Sequence, residues 1–202
     1  EGMEVFTNTA RVREARKTNV ELILSQHHTN CPTCIRSGNC TLQKIANDLN
    51  LVTDRYKTEY APVNWTQTFP LFKDAGKCIK CMRCVQICDK IQGLGIWDVE
   101  KTGSRTNVDV SYSREIKMSD CALCGQCITH CPTAALQERD DVSRIFEMSG
   151  DLNNRDKITV VQIAPAVRAA WGEEFGLSRE YATDKRLVAA LRRMGFDYIF
   201  DT

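Results

Sequence analysis

The run Cys-x2-Cys-x2-Cys-x3-Cys occurs twice in this chain, at Cys78, Cys81, Cys84 and Cys88 and again at Cys121, Cys124, Cys127 and Cys131. The spacing is that of proteins holding two 4Fe–4S clusters. A cubane cluster presents four irons, each taking one protein ligand. Three cysteines spaced three apart place three thiolates around one face of the cube, and the amides of that short loop point at its sulfurs. The fourth cysteine, expected to begin a helix, cannot reach the same cube and ligates the other. Cys78, Cys81 and Cys84 are thus expected to share one cluster with Cys131, and Cys121, Cys124 and Cys127 to share another with Cys88. Such crossed ligation ties distant segments together, so loss of the clusters should unfold this region. Zinc is the alternative for eight cysteines. Zinc sites, however, come as paired Cys-x2-Cys knuckles, whereas a triple run followed by x3-Cys suits a cube.

The remaining cysteines, Cys31, Cys34 and Cys40, are one ligand short of four, and His27 and His28 lie just upstream. Eleven thiolates and one imidazole would supply three four-iron clusters with nothing left over, an arrangement for electron transfer. Alone, Cys31-Pro-Thr-Cys34 also suits a redox pair or, with a histidine, a zinc knuckle. His27 lies four residues before Cys31 and His28 three, and spacing does not choose between them. An imidazole in place of a thiolate makes the site one charge less negative and easier to reduce, as in Rieske centres. This cluster is therefore expected to be the higher-potential member, a branch or storage point.

Composition sets outer limits. A chain of 202 residues suits one or two domains. A net charge of +1 gives no basic face of the kind nucleic acid demands. No stretch approaches the roughly eighteen apolar residues of a membrane span. The first thirty residues lack the apolar core of a secretory signal, although a chain opening on Glu1 leaves room for an upstream segment. An odd number of cysteines in tight triplets favours metal-bound thiolates in a reducing compartment, the cytoplasm, over disulfides.

Periodicity predicts a helix over 7–28, capped by Thr7 or Asn8, with Val12, Ala15, Leu22 and Ile23 roughly on one face. A second helix is expected from Thr41 to Leu49. Residues 61–77, with Pro62 and Pro70, suit an extended connector packing Trp65, Phe69 and Phe72 inward. Ile96 to Val99 and Val108 to Tyr112 flank a polar turn and predict a β-hairpin. Asp140 and Asp141 open another helix, through about Met148, ended by Gly150. From 158 a strand (158–163), a helix (185–194) and a strand (198–200) form the beginning of a βαβ unit, the opening of a larger domain. The fold class is α+β. Its parts are a small helical iron–sulfur domain (1–60), a connector with a two-cluster ferredoxin-like domain (61–150) and an incomplete α/β segment (151–202). Arg11, Arg13, Arg16 and Lys17 form either a partner surface or a solvated basic face.

Further residues carry a family resemblance. His27-x3-Cys31-x2-Cys34-x5-Cys40, with Ser37-Gly38-Asn39-Cys40 and Leu42-Gln43, resembles the one-histidine, three-cysteine domain of iron-only (FeFe) hydrogenases, complex I large subunits and NAD-linked formate dehydrogenases. That resemblance implies His27 as the ligand. The stretch from Cys78 to Gln92 resembles the first ferredoxin motif of FeFe hydrogenases, in which Asp89 stands where many ferredoxins have proline. Gln162-Ile-Ala-Pro-Ala-Val-Arg168 with Gly172-Glu-Glu-Phe-Gly176 resembles the start of the hydrogenase catalytic domain. The resemblance implies an internal segment of an FeFe hydrogenase alpha subunit. Its H-cluster would be held by cysteine motifs beyond Thr202, and a 2Fe–2S domain would precede Glu1. The implied partners are an NAD(P)H-oxidising flavoprotein with iron–sulfur clusters, a ferredoxin, or both. No catalytic residue is expected within the segment. The alternatives are the front of a molybdenum formate dehydrogenase, a free-standing ferredoxin-like carrier and a zinc scaffold.

Overall fold

The computed structural model describes residues 2–51, 55–56, 68–150 and 158–202, and the backbone alone for 148–150. The chain forms two compact units, Glu1–Arg139 and Asp140–Thr202.

The first unit begins with helix α1 (Ala10–Leu24), capped by Thr9, whose hydroxyl accepts from the Val12 amide at 3.3 Å. The cap falls one or two residues after the expected Thr7 or Asn8, because Thr9 is the residue with extended backbone and an oxygen over the first turn. The buried face also differs from expectation. Val20, Glu21 and Ser25 are buried, whereas Leu22 and Ile23 are exposed. A weakly amphipathic helix takes its inner face from what packs on it. Here the charged Glu21 is turned inward and meets Arg55 at 3.5 Å. The helix ends at Leu24, and Ser25 closes it by donating to the Leu22 carbonyl at 2.8 Å. His27 and His28 follow in irregular backbone. A 3-10 turn over Cys31–Thr33 leads to helix α2 (Thr41–Asp48), which has Cys40 at its N-cap.

Strand β1 (Leu71–Lys73) precedes the first cysteine motif, which runs into helix α3 (Arg83–Gln86) and a π-helical turn over Ile87–Ile91. Strands β2 (Trp97–Glu100) and β3 (Asn107–Val110) make the expected hairpin, with Trp97 opposite Val110. The second motif contains helix α4 (Gln126–Thr129) and is followed by strand β4 (Leu136–Glu138). β1 and β4 pair antiparallel, Leu71 opposite Glu138. Part of the expected connector is therefore a strand. Phe69 packs half-buried on the core and Phe72 is half-buried, while Pro62 and Trp65 lie outside the described residues. The core unites Leu71, Ile96, Trp97, Val108, Val110, Ile116 and Leu136 with Cys88, Cys127 and Cys131.

In the second unit, helix α5 (Val142–Gly150) is capped by Asp140, which accepts from the Val142 and Ser143 amides at 3.0 and 3.3 Å. The Ser143 hydroxyl and these amides hold the Asp140 carboxyl below its usual range. Strand β5 (Val160–Ile163) pairs parallel with β6 (Tyr198–Asp201), with α6 (Pro165–Glu174) and α7 (Asp184–Arg193) between them. α6 was not expected, although Pro165 at its first position is a helix-start signal. Asp197 ties the strand starts by accepting from the Thr159 amide and hydroxyl at 2.7 and 3.0 Å, and Arg168 pairs with Asp201. Gly172 is required by close approach, since a Cβ there would overlap that of Ala182.

Candidate iron–sulfur centre

The two cysteine motifs share a backbone device. In the first, Lys80 and Met82 have φ of 57° and 61°; in the second, Leu123 and Gly125, at the same places in the repeat, have 53° and 71°. Left-handed residues on either side of the middle cysteine curl each loop, so that successive amides face inward, as in anion-binding nests. Three of these positions are not glycine. Each stores of order 1–2 kcal/mol of strain, which persists where a bound group offsets it.

The helices begin earlier than expected. Cys84 lies in α3 and Cys127 in α4, with Cys88 in the π-helical turn and Cys131 just past α4. The fourth cysteine thus does not begin a helix: Cys88 lies inside the helical run from Arg83 to Ile91, and Cys131 follows the turn that closes α4. That turn carries its sulfur away from the loop of its own motif. One cavity is lined by Cys78, Cys81, Cys84 and Cys131, together with Lys73, Met82, Trp97 and Leu136. A second is lined by Cys121, Cys124, Cys127 and Cys88, with Leu71, Leu94, Ile96 and Trp97. Trp97 lies at both.

Amides are aimed at these sulfurs. Ala135 donates to Cys131 Sγ at 3.2 Å, Ile96 to Cys88 Sγ at 3.4 Å and Lys80 to Cys78 Sγ at 3.4 Å. Burial pushes the Cys84 thiol up to about 12, with the nearby Cys78 sulfur adding to it. Burial likewise pushes Cys127 up to about 11, against a hydrogen bond from the Trp97 side chain. Cys78 is raised by burial and pulled back by the Lys80 amide and the Lys73 charge. Without iron, these thiols keep their protons at neutral pH. Each must release one on ligation, so protons compete with iron. Retention of bound iron against a chelator should therefore strengthen from about pH 6 to about pH 9, and acidification should speed release, followed by the fading of visible cluster absorbance.

The first cysteine group lies beside this core. His27 is 8% exposed, whereas His28 is exposed, with its Nε2 3.4 Å from Asn30 Nδ2. Burial lowers the His27 pKa, partly offset by a hydrogen bond to the Lys77 backbone, so the ring is neutral at pH 7. Its Nδ1 is buried with no hydrogen-bond partner. An imidazole bonded to backbone, with an orphaned nitrogen, has the form of a metal ligand steadied from behind. Cys31, Cys34 and Cys40 are half-buried, at the two ends of the short turn and at the start of α2. Hydrogen bonds join this region to the cluster core. The His28 amide donates to Gly76 O at 2.6 Å, Lys80 Nζ to Gln26 Oε1 at 2.6 Å and Arg36 to the Cys131 carbonyl at 3.1 Å.

Soft thiolate donors around two apolar-walled cavities, with amides aimed at the sulfurs, fit four-iron clusters. Sequence reasoning missed Lys73 and Trp97 as cavity walls. Neither has a motif, and only the pairing of β1 with β4 and the hairpin bring them there.

The fold and site define an iron–sulfur electron-transfer protein. Residues 16–55 match the NADH-ubiquinone oxidoreductase-G iron–sulfur binding region, 77–135 the 4Fe–4S dicluster domain and 157–202 the iron-only hydrogenase large subunit, C-terminal domain. The chain is 37% identical over its whole length to NADP-reducing hydrogenase subunit HndD of Solidesulfovibrio fructosivorans and 32% identical to iron hydrogenase 1 of Clostridium pasteurianum. It spans 34% and 35% of those relatives' lengths. A solved NAD+-reducing [NiFe]-hydrogenase shares the fold at TM-score 0.62 and 22% identity, over 69% of this chain and 60% of that one. Over its whole length the chain is thus similar to a segment of iron-only hydrogenases. The match at 157–202 leaves the formate dehydrogenase reading without an advantage. Among the described residues, no helix is long and apolar enough to cross a membrane.

Proposed function

We propose that this chain is the electron-relay portion of an FeFe hydrogenase, organised as 1–60, 61–150 and 151–202 and working in the cytoplasm, where free thiols persist. It would hold three 4Fe–4S clusters: one on His27, Cys31, Cys34 and Cys40, one on Cys78, Cys81, Cys84 and Cys131, and one on Cys121, Cys124, Cys127 and Cys88. The observation that carries the reading is that each of two cavities is walled by three cysteines of one motif and the last cysteine of the other. When bound, such a cluster takes up and passes on one electron at a time. The protein supplies thiolates and one imidazole, amides that offset negative charge, and largely apolar walls around the buried sulfurs, with Cys81 and Cys124 exposed. In the complete protein these centres would connect an H-cluster, where dihydrogen is oxidised or protons reduced, with a flavoprotein that oxidises NAD(P)H or with a ferredoxin. A 2Fe–2S cluster on an upstream domain would extend the chain of centres.

Metal analysis after anaerobic reconstitution tests the proposal. About twelve irons per chain with little zinc are expected. About eight would remove the histidine-ligated cluster, and zinc in place of iron would overturn the relay altogether.

A further inference from the structure

The two cluster cavities differ in charge. The first has the buried cation Lys73, 3% exposed, in its wall; none of the described residues lining the second is charged. Lys73 stands five residues before Cys78, the first cysteine of its motif. Five residues before Cys121, in the second repeat, stands Ile116, apolar and 2% exposed. The Lys73 ammonium is fixed by Asp109 Oδ2 at 2.8 Å and the Val108 carbonyl at 2.6 Å. Lys73 and Val108 line the cavity, whereas Asp109 is not among its walls. Lys73 is thus the charged member of the pair at the cavity, and its charge acts on Cys78.

We propose that Lys73 is a positioning charge that raises the reduction potential of the cluster in the first cavity above that of its counterpart. The inference rests on the relay reading. Each added electron makes a cluster one charge more negative, and a fixed cation in a low-dielectric wall favours that reduced form. Burying a lysine is costly, and hydrophobic residues of similar volume often pack such a site at least as well. A purely structural role therefore gives no reason for charge here. The consequence is directional, since an electron entering the pair would rest in the first cavity.

The test is a potentiometric EPR titration of the reconstituted full chain with its Lys73→Met, Lys73→Arg and Asp109→Asn variants. Lys73→Met should lower one midpoint by about a tenfold change in the reduced-to-oxidised ratio, about 59 mV, and leave the other in place. The cluster that moves should be the one lost in Cys131→Ser. Lys73→Arg should keep the original value, and Asp109→Asn, which removes the negative charge beside Lys73, should shift the same midpoint upward. Because Lys73→Met leaves the half-buried Asp109 without Lys73, the double variant Lys73→Met/Asp109→Asn removes both charges and should still titrate below the wild type. Iron content separates the two levels of the argument. Wild type that binds no iron in these cavities overturns the relay reading. Clusters that form normally in the variants but keep their midpoints, or shift together, overturn the role of Lys73.

Discussion

Cys131→Ser is expected to remove about four irons per chain, and the cluster lost should be that of the first motif, although Cys131 belongs to the second. Cysteine pairs make the crossing visible. Combined with Cys84→Ser, which removes another ligand of the same proposed cluster, the double variant should lose no more iron than either single variant. Combined with Cys124→Ser, it should lose about eight, because two clusters are then affected. Ligation within each motif would produce the opposite pattern. The change should also reach the fold. Cys131 is 8% exposed within the core, beside the start of β4, and its sulfur accepts the Ala135 amide. Loss of a cluster there removes the tie between the first motif and the strand that pairs with β1. Thermal unfolding should begin at lower temperature and with less cooperativity, read by circular dichroism alongside the iron count. In the complete hydrogenase proposed above, hydrogen-dependent NAD(P) reduction should fall while hydrogen–deuterium exchange, which needs no relay, continues.

His27→Ala is expected to cost the chain one cluster, a fall of about four irons, while His28→Ala leaves the iron content unchanged. The two rings are neighbours in sequence and opposite in environment. One is buried with an orphaned nitrogen and a bond to the Lys77 backbone, and the other is exposed beside Asn30. His27→Cys should restore the iron and lower that cluster's midpoint, because a thiolate adds a negative charge that an imidazole does not. A fall of about 59 mV corresponds to tenfold in occupancy. An unchanged midpoint in a fully loaded His27→Cys chain would remove the histidine from the ligand set.

Much of the architecture is legible in local patterns. The hairpin of β2 and β3 follows from alternating side chains around a polar turn, and α2 begins where Cys40 gives way to helix formers. Other elements carry too little local signal. β1 and β4 have three residues each and form only because the chain returns from Arg139 to Pro70, whose carbonyl accepts the Arg139 amide at 2.8 Å. The inner face of α1 departs from the periodic pattern because its apolar residues are scattered, and Glu21 is buried through a partner that periodicity cannot name. α6 announced itself only by Pro165.

The kind of centre was determined by sequence alone, because a four-iron cube accepts few thiolate spacings and this chain repeats one of them. Tertiary structure decided what surrounds each centre. Pairing residues far apart in the chain turned Lys73 toward one cavity, set Trp97 at both and sank His27 while leaving His28 in water. Ligand type is a property of residues and their spacing. The field and burial that tune a ligand are sums over neighbours from the whole fold, and no local pattern contains them.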